Sequence, residues 1–130
     1  MIAEKTRRFI EGLEYVFVAS ADAAGTPHLA AGREIEVLDS GHVAFRNWFC
    51  HTTLANIGEN PRISVTFVEP ATGAGYQMLG VVESRHETAI LDGLAPGREE
   101  PGTPQVQSQF VVRIEEVLEF SSGPHSDRPL

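Results

Sequence analysis

Arg62-Ile63-Ser64-Val65-Thr66-Phe67 alternates without a break, with Ile63, Val65 and Phe67 on one side and Arg62, Ser64 and Thr66 on the other. A period of two belongs to an extended strand that buries one face. Upstream, Asn60-Pro61 keeps a helix from running into it, because the residue before proline is pushed out of the α region. Downstream, Glu69-Pro70-Ala71-Thr72-Gly73-Ala74 turns the chain into a second strand, Gly75 to Glu83. The same texture recurs in both directions. Tyr15-Val16-Phe17-Val18-Ala19-Ser20 is β-branched and aromatic, and Asp22 to Pro27 is turn chemistry with Gly25 free to take positive φ. A long strand from His28 to Leu38 follows, then Asp39-Ser40-Gly41 closes a hairpin onto His42 to Trp48. Phe110 to Leu118 reads as a last strand, ahead of a polar tail with Ser121-Ser122-Gly123-Pro124. Short hairpin connections argue against a parallel sheet, and a closed sheet removes edges that invite aggregation. The expectation is a small, mainly β, antiparallel barrel.

Helices are short and few in this reading. Ile2, Phe9, Ile10 and Leu13 recur at helical spacing and Gly12 ends the segment. Thr52 to Asn60 is an internal helix with Leu54 and Ile57 inward and Thr52 or Thr53 as its cap. His86 to Leu94 reads as a third short helix, and the Pro- and Gly-rich run from Pro96 to Pro104 as a mobile loop.

The chain is one domain of 130 residues, with 10 Lys and Arg against 18 Asp and Glu, a formal charge of −8. That balance argues against a nucleic-acid partner, since phosphate-backbone affinity needs many basic contacts. No apolar run reaches the roughly 20 residues of a membrane helix, and the N-terminus lacks a signal-peptide core. A cytoplasmic protein is expected. One cysteine, Cys50, precludes an intrachain disulfide, and the five histidines have no metal-ligand spacing, so no metal site is expected. No catalytic motif is present, and the catalytic residues are unassigned; the expected source of any chemistry is a bound cofactor.

The stretch Phe45-Arg46-Asn47-Trp48-Phe49-Cys50-His51-Thr52-Thr53 leaves a strand and enters a helix. The first amides of a helix lack internal partners and carry partial positive charge, which suits a phosphate. Two readings stand: Thr52 and Thr53 donate to a phosphate with Arg46 nearby, or they cap the helix and Arg46 faces solvent.

The ordered motifs Gly25-Thr26-Pro27-His28, Phe45-x-Asn47, Thr53-x-x-Asn56-Ile57, Asn60-Pro61-Arg62-Ile63-Ser64-Val65 and Gly75-Tyr76-Gln77-x-x-Gly80 resemble the FMN-binding split-barrel family. That family includes the pyridoxamine 5′-phosphate oxidases and small bacterial FMN-binding proteins. The resemblance implies a six-stranded antiparallel split β-barrel with short flanking helices, and a homodimer with FMN in grooves between the protomers. It implies that Ala31, Gly32 and Arg33 face the flavin and that Arg46 and Asn47 make contacts from the next strand. It also places Thr52 and Thr53, with titratable His51, at the phosphate turn, and Gln77 where a partner's glutamine approaches the ring. Trp48 is placed either on the flavin or in the core or dimer contact, the latter together with the Gly75 to Gly80 strand. The chain departs from many members in having no Lys or Arg at the Thr52-Thr53 turn, which shifts the charge burden to Arg33 and Arg46. The implied function is an FMN-dependent oxidoreductase whose substrate and electron donor are open. The alternatives are a non-catalytic FMN carrier, or a barrel holding heme or a deazaflavin.

Overall fold

A computed structural model describes residues 1–91 and 105–130, with side chains left out for 89–91, 105 and 106. Helix α1 spans Glu4–Glu11 and is followed by strands β1 (Val16–Ala21), β2 (Pro27–Gly32), β3 (Ile35–Asp39) and β4 (His42–Trp48). Helix α2 (His51–Glu59) then leads into β5 (Arg62–Glu69), β6 (Ala74–Leu91) and β7 (Gln105–Phe120). The strands form one antiparallel sheet in the order β2-β1-β5-β6-β7-β4-β3.

The mainly β, antiparallel expectation holds, with seven strands rather than six. The extra one comes from the segment expected to be a single strand, His28 to Leu38. It breaks at Arg33-Glu34, where Glu34 takes a left-handed φ of 58°. Its two halves, β2 and β3, become the opposite edges of the sheet. The sheet therefore curls without closing by hydrogen bonds, and the break in the chain is also the break in the barrel.

Alternation sets the core. Val16 and Val18 of β1, Val65 and Phe67 of β5, Met78 of β6, and Phe110 and Val112 of β7 are all buried inside. Each such side chain contributes about 1.5–3 kcal/mol of burial. Phe45, Trp48 and Phe110 form an aromatic cluster, with Trp48 edge-on to the other two at centroid distances of 5.1 and 5.5 Å. Helix α1 adds Ile10, fully buried, and sets Phe9 edge-on to Tyr76. Helix α2 is tied down at both flanks: Asn56 Nδ2 donates to Ser20 Oγ at 3.1 Å, and Arg85 Nη1 donates to the Leu54 carbonyl at 2.7 Å.

Two further expectations need correction. The segment from His86 is not a helix: β6 continues to Leu91, paired with β7 as far as Leu91↔Gln105. Each strand of this ribbon satisfies the other's backbone groups, which outweighs the weak helical spacing of its side chains. Residues 92–94 and the expected loop Pro96 to Pro104 lie outside the described residues. The cap of α2 is also not a threonine. Cys50 occupies the N-cap position with no side-chain hydrogen bond, and the helix starts one residue earlier than the Thr-Thr pair suggested.

Candidate functional site

The break between β2 and β3 opens a groove of about 680 Å³. Ala31, Gly32, Arg33 and Glu34 supply one side; Asn47, Trp48, Phe49 and Cys50 supply the other, where β4 runs out toward α2. Tyr15 and Gln107 complete the lining. This volume lies in the usual range for small-molecule and cofactor sites.

Each wall has a physical reason. Gly32 is required by Trp48: a Cβ at Gly32 would lie 2.1 Å from Cζ3 and 2.7 Å from Cε3 of the indole. The missing side chain lets the ring, only 1% exposed, close the barrel interior directly beneath the groove. Asn47 is held by Gln107, whose Nε2 donates to its Oδ1 across from β7. Arg33 has no ion pair among the described residues, whereas Arg46 is bound to Glu36 at 2.6 Å and Arg62 to Glu115 at 2.7 Å. The guanidinium of Arg33 is thus the cation that the groove offers to a ligand. At the far end, α2 begins at Cys50 with no side-chain cap and no acidic residue in its first turn. Its first amides are left for an anion, with the helix dipole favouring negative charge there.

Of the residues named from the sequence, Ala31, Gly32, Arg33, Asn47 and Trp48 line this groove together. The other five do not line it. His51 and Thr52 are exposed on the first turn of α2, one and two residues beyond the groove's Cys50. Thr53 is fully buried, and its Oγ1 has no protein partner. Arg46 is half-buried and held by Glu36. Gln77 lies on β6 and donates to Ser64 Oγ at 2.8 Å, on the outward face of the sheet. At 1% exposure Trp48 takes the core place, one of the alternatives open for it.

Sequence reasoning missed Tyr15, Glu34, Phe49, Cys50 and Gln107 as groove residues. Gln107 had no readable signal, because it lies in the part of β7 ahead of the expected strand. Glu34 had none either: it alternates with Ile35, Glu36 and Val37 as a continuous strand would, and only the structure shows its positive φ at the break.

The clearest bias in protonation lies elsewhere. His42 at the start of β4 is bridged between Asp39, 2.9 Å from Nδ1, and Glu83, 3.1 Å from Nε2. Hydrogen bonds to Asp39 and then Glu83 hold its imidazole above the usual histidine range. The Gly41 amide and His42 hold Asp39 below the usual carboxylate range.

A family profile described as pyridoxamine 5′-phosphate oxidase matches residues 2–120. The chain belongs to this family. A relative from Methanocaldococcus jannaschii, an uncharacterized protein, is 31% identical over 98% of this chain and 88% of its own length. Among solved structures, HupZ of Group A Streptococcus aligns with a TM-score of 0.69 at 22% identity, over 97% of this chain and 99% of that one. An FMN-binding protein from Syntrophomonas wolfei aligns at 0.67 with 14% identity, over 95% and 88%. The heme storage protein HutZ of Vibrio cholerae aligns at 0.59 with 9% identity, over 92% and 94%. An F420 reductase aligns at 0.60 with 17% identity, over 89% and 98%. At these identities the solved structures share the fold alone. Proteins of this fold are thus described as FMN-binding, as storing heme and as an F420 reductase. No helix is long and apolar enough to cross a membrane among the described residues.

Proposed function

We propose that the chain binds FMN in the groove at the β2–β3 break and works as an FMN-dependent oxidoreductase. The observation that carries the reading is the unengaged Arg33 in a groove whose lining reaches Cys50, the N-cap of α2, which makes no side-chain cap hydrogen bond. A guanidinium and a helix N-terminus both favour a phosphate, which FMN and a deazaflavin cofactor carry and heme lacks. Asn47 and Gln107 offer amide donors and acceptors to the polar edge of a flavin ring. When bound, FMN supplies electron and hydride transfer. The protein's part is to hold the phosphate, orient the ring and restrict access.

A second copy completes the site in this reading. Phe17, Ala19, Val68, Leu79 and Val81 are only half-buried on the outward face of β1, β5 and β6, and Gln77 lies among them. A face of this composition is suited to burial against its own kind.

Absorption spectroscopy and mass spectrometry of the ligand released from protein purified without added cofactor test the cofactor directly. A flavin spectrum and the mass of FMN are expected; heme or a deazaflavin overturns the assignment. Reduction by NADH or NADPH with turnover separates an enzyme from a carrier. Arg33→Ala is expected to weaken FMN by about tenfold or more while leaving riboflavin unchanged, from the loss of a charge-assisted contact of about 1.5–3 kcal/mol. Equal affinities of wild type and variant for FMN would move the phosphate away from Arg33.

A further inference from the structure

All of the aromatic residues, one Trp, two Tyr and seven Phe, lie among the described residues. Two of them are exposed, Tyr15 at 43% and Phe49 at 44%. Both line the groove that holds Arg33. Two large exposed aromatic side chains lining one concavity mark a binding surface. Tyr15 also stands edge-on to Phe17 at 5.7 Å and 86°, a contact that favours this orientation of its ring.

We infer that Tyr15 and Phe49 form a stacking subsite for the planar ring of a second small molecule, one without negative charge. The subsite deepens the flavin reading and rests on it for the placing of this ring beside the cofactor. The groove lining offers two chemistries. Arg33, Asn47, Gln107 and the start of α2 are polar and suit the cofactor, while Tyr15 and Phe49 offer π-faces and no charge. Stacked or edge-on aromatic contacts reward a flat ring over an aliphatic one. The Glu34 carboxylate lines the same groove and the chain carries a net charge of −8, so an anionic ring is repelled. The groove's cation is taken by the phosphate. A neutral aromatic or quinonoid ring meets these conditions.

The test uses menadione, a neutral 1,4-naphthoquinone, and 2-hydroxy-1,4-naphthoquinone, which has the same ring and is anionic at neutral pH, as the comparison. Both are titrated by calorimetry into the purified full-length protein, before and after saturation with FMN. Wild type is compared with Tyr15→Ala and Phe49→Ala, and with Tyr15→Leu and Phe49→Leu, which keep apolar bulk without the ring. FMN affinity, melting temperature and sedimentation are measured on each. Menadione is expected to bind wild type more tightly than the hydroxyquinone anion and to lose about tenfold in each variant, with FMN affinity changed less than about twofold. Unchanged menadione affinity in the variants overturns the inference. Parallel losses for FMN and menadione overturn it too, by assigning the rim to the cofactor's own ring. A variant that sediments as a lighter species than wild type overturns it by making the rim a subunit contact. Should wild type fail to bind FMN while menadione follows the expected pattern, the cofactor reading falls and the ring subsite stands.

Discussion

Gly32→Ala puts one methyl group where the structure has no room for it. The new Cβ would sit 2.1 Å from Trp48 Cζ3, 2.7 Å from Cε3 and 3.1 Å from Cη2. Ordinary carbon contacts lie at about 3.5–4.0 Å, so the overlap exceeds 1 Å by any estimate and cannot be absorbed by small adjustments. The indole has nowhere to retreat, because Trp48 is 1% exposed and already meets Phe45 and Phe110 edge-on. Overpacking of this kind costs about 1–3 kcal/mol. For a chain of this size that corresponds to a fall in melting temperature of roughly 4–12 °C. Trp48 is the single tryptophan, so its fluorescence reports the displacement without a label. A changed emission maximum is expected together with the lower melting temperature. Combining Gly32→Ala with Trp48→Leu, which removes the atoms that clash, should cost less than the sum of the single changes. If Gly32→Ala melts like wild type and its fluorescence is unaltered, the packing argument for the groove floor is wrong.

Three further outcomes follow from the same structure. Thr53→Val keeps the side-chain shape and removes a buried hydroxyl without a protein partner, so it should leave stability unchanged or raise it by about 1 kcal/mol in thermal melts. A selective loss of FMN over riboflavin in that variant would instead assign the hydroxyl to the phosphate. The raised pKa of His42 makes its stabilising contribution full below pH 6.5, its unfolded value, and lost as pH rises through the folded value above it. Asp39 acts in the opposite direction, contributing above 3.8 and losing its effect as pH falls through a folded value below that. Melting curves should therefore show His42→Gln removing a decline in stability above pH 6.5, and an identical pH profile in the variant would refute the bridge. Arg46→Ala breaks an exposed pair with Glu36 and should change stability by less than about 1 kcal/mol, while a large loss of FMN affinity in titrations would place Arg46 in the site.

What was legible in the sequence is what depends on local period and turn chemistry. Ile63, Val65 and Phe67 announce β5 because an alternating strand with one buried face has few other ways to be written. The Asp39-Ser40-Gly41 turn fixes the β3–β4 hairpin in the same way, and in the fold Asp39 Oδ1 accepts the Gly41 amide at 2.8 Å. The misread segments depend on partners far along the chain. Nothing between His28 and Leu38 says that its two halves will pair with different neighbours, β2 with β1 and β3 with β4. The residues after Glu83 become a strand because β7 lies beside them as far as Gln105. Long-range pairing overrode a weak local preference in both places.

The candidate site divides along the same line. Arg33 and Asn47 were legible through the order of motifs, and Trp48 beside them, because these residues lie next to elements that the pattern defines well. Tyr15 and Gln107 reach the groove only through three-dimensional curvature: they are 92 positions apart by number and share one lining because the sheet bends its edges together. Thr53 shows the converse. Its place after a strand and at a helix start suggests an exposed hydroxyl, yet the residue is fully buried. Helix α2 packs inward through Thr53, Leu54, Asn56 and Ile57, while Thr52 stays outside. Thr53 and Ile57 are four apart and so share one helix face, and Leu54 and Ile57 fix that face against the core. Thr52 lies about 100° from Thr53 around the axis, which is why one of two adjacent threonines is buried and the other meets solvent.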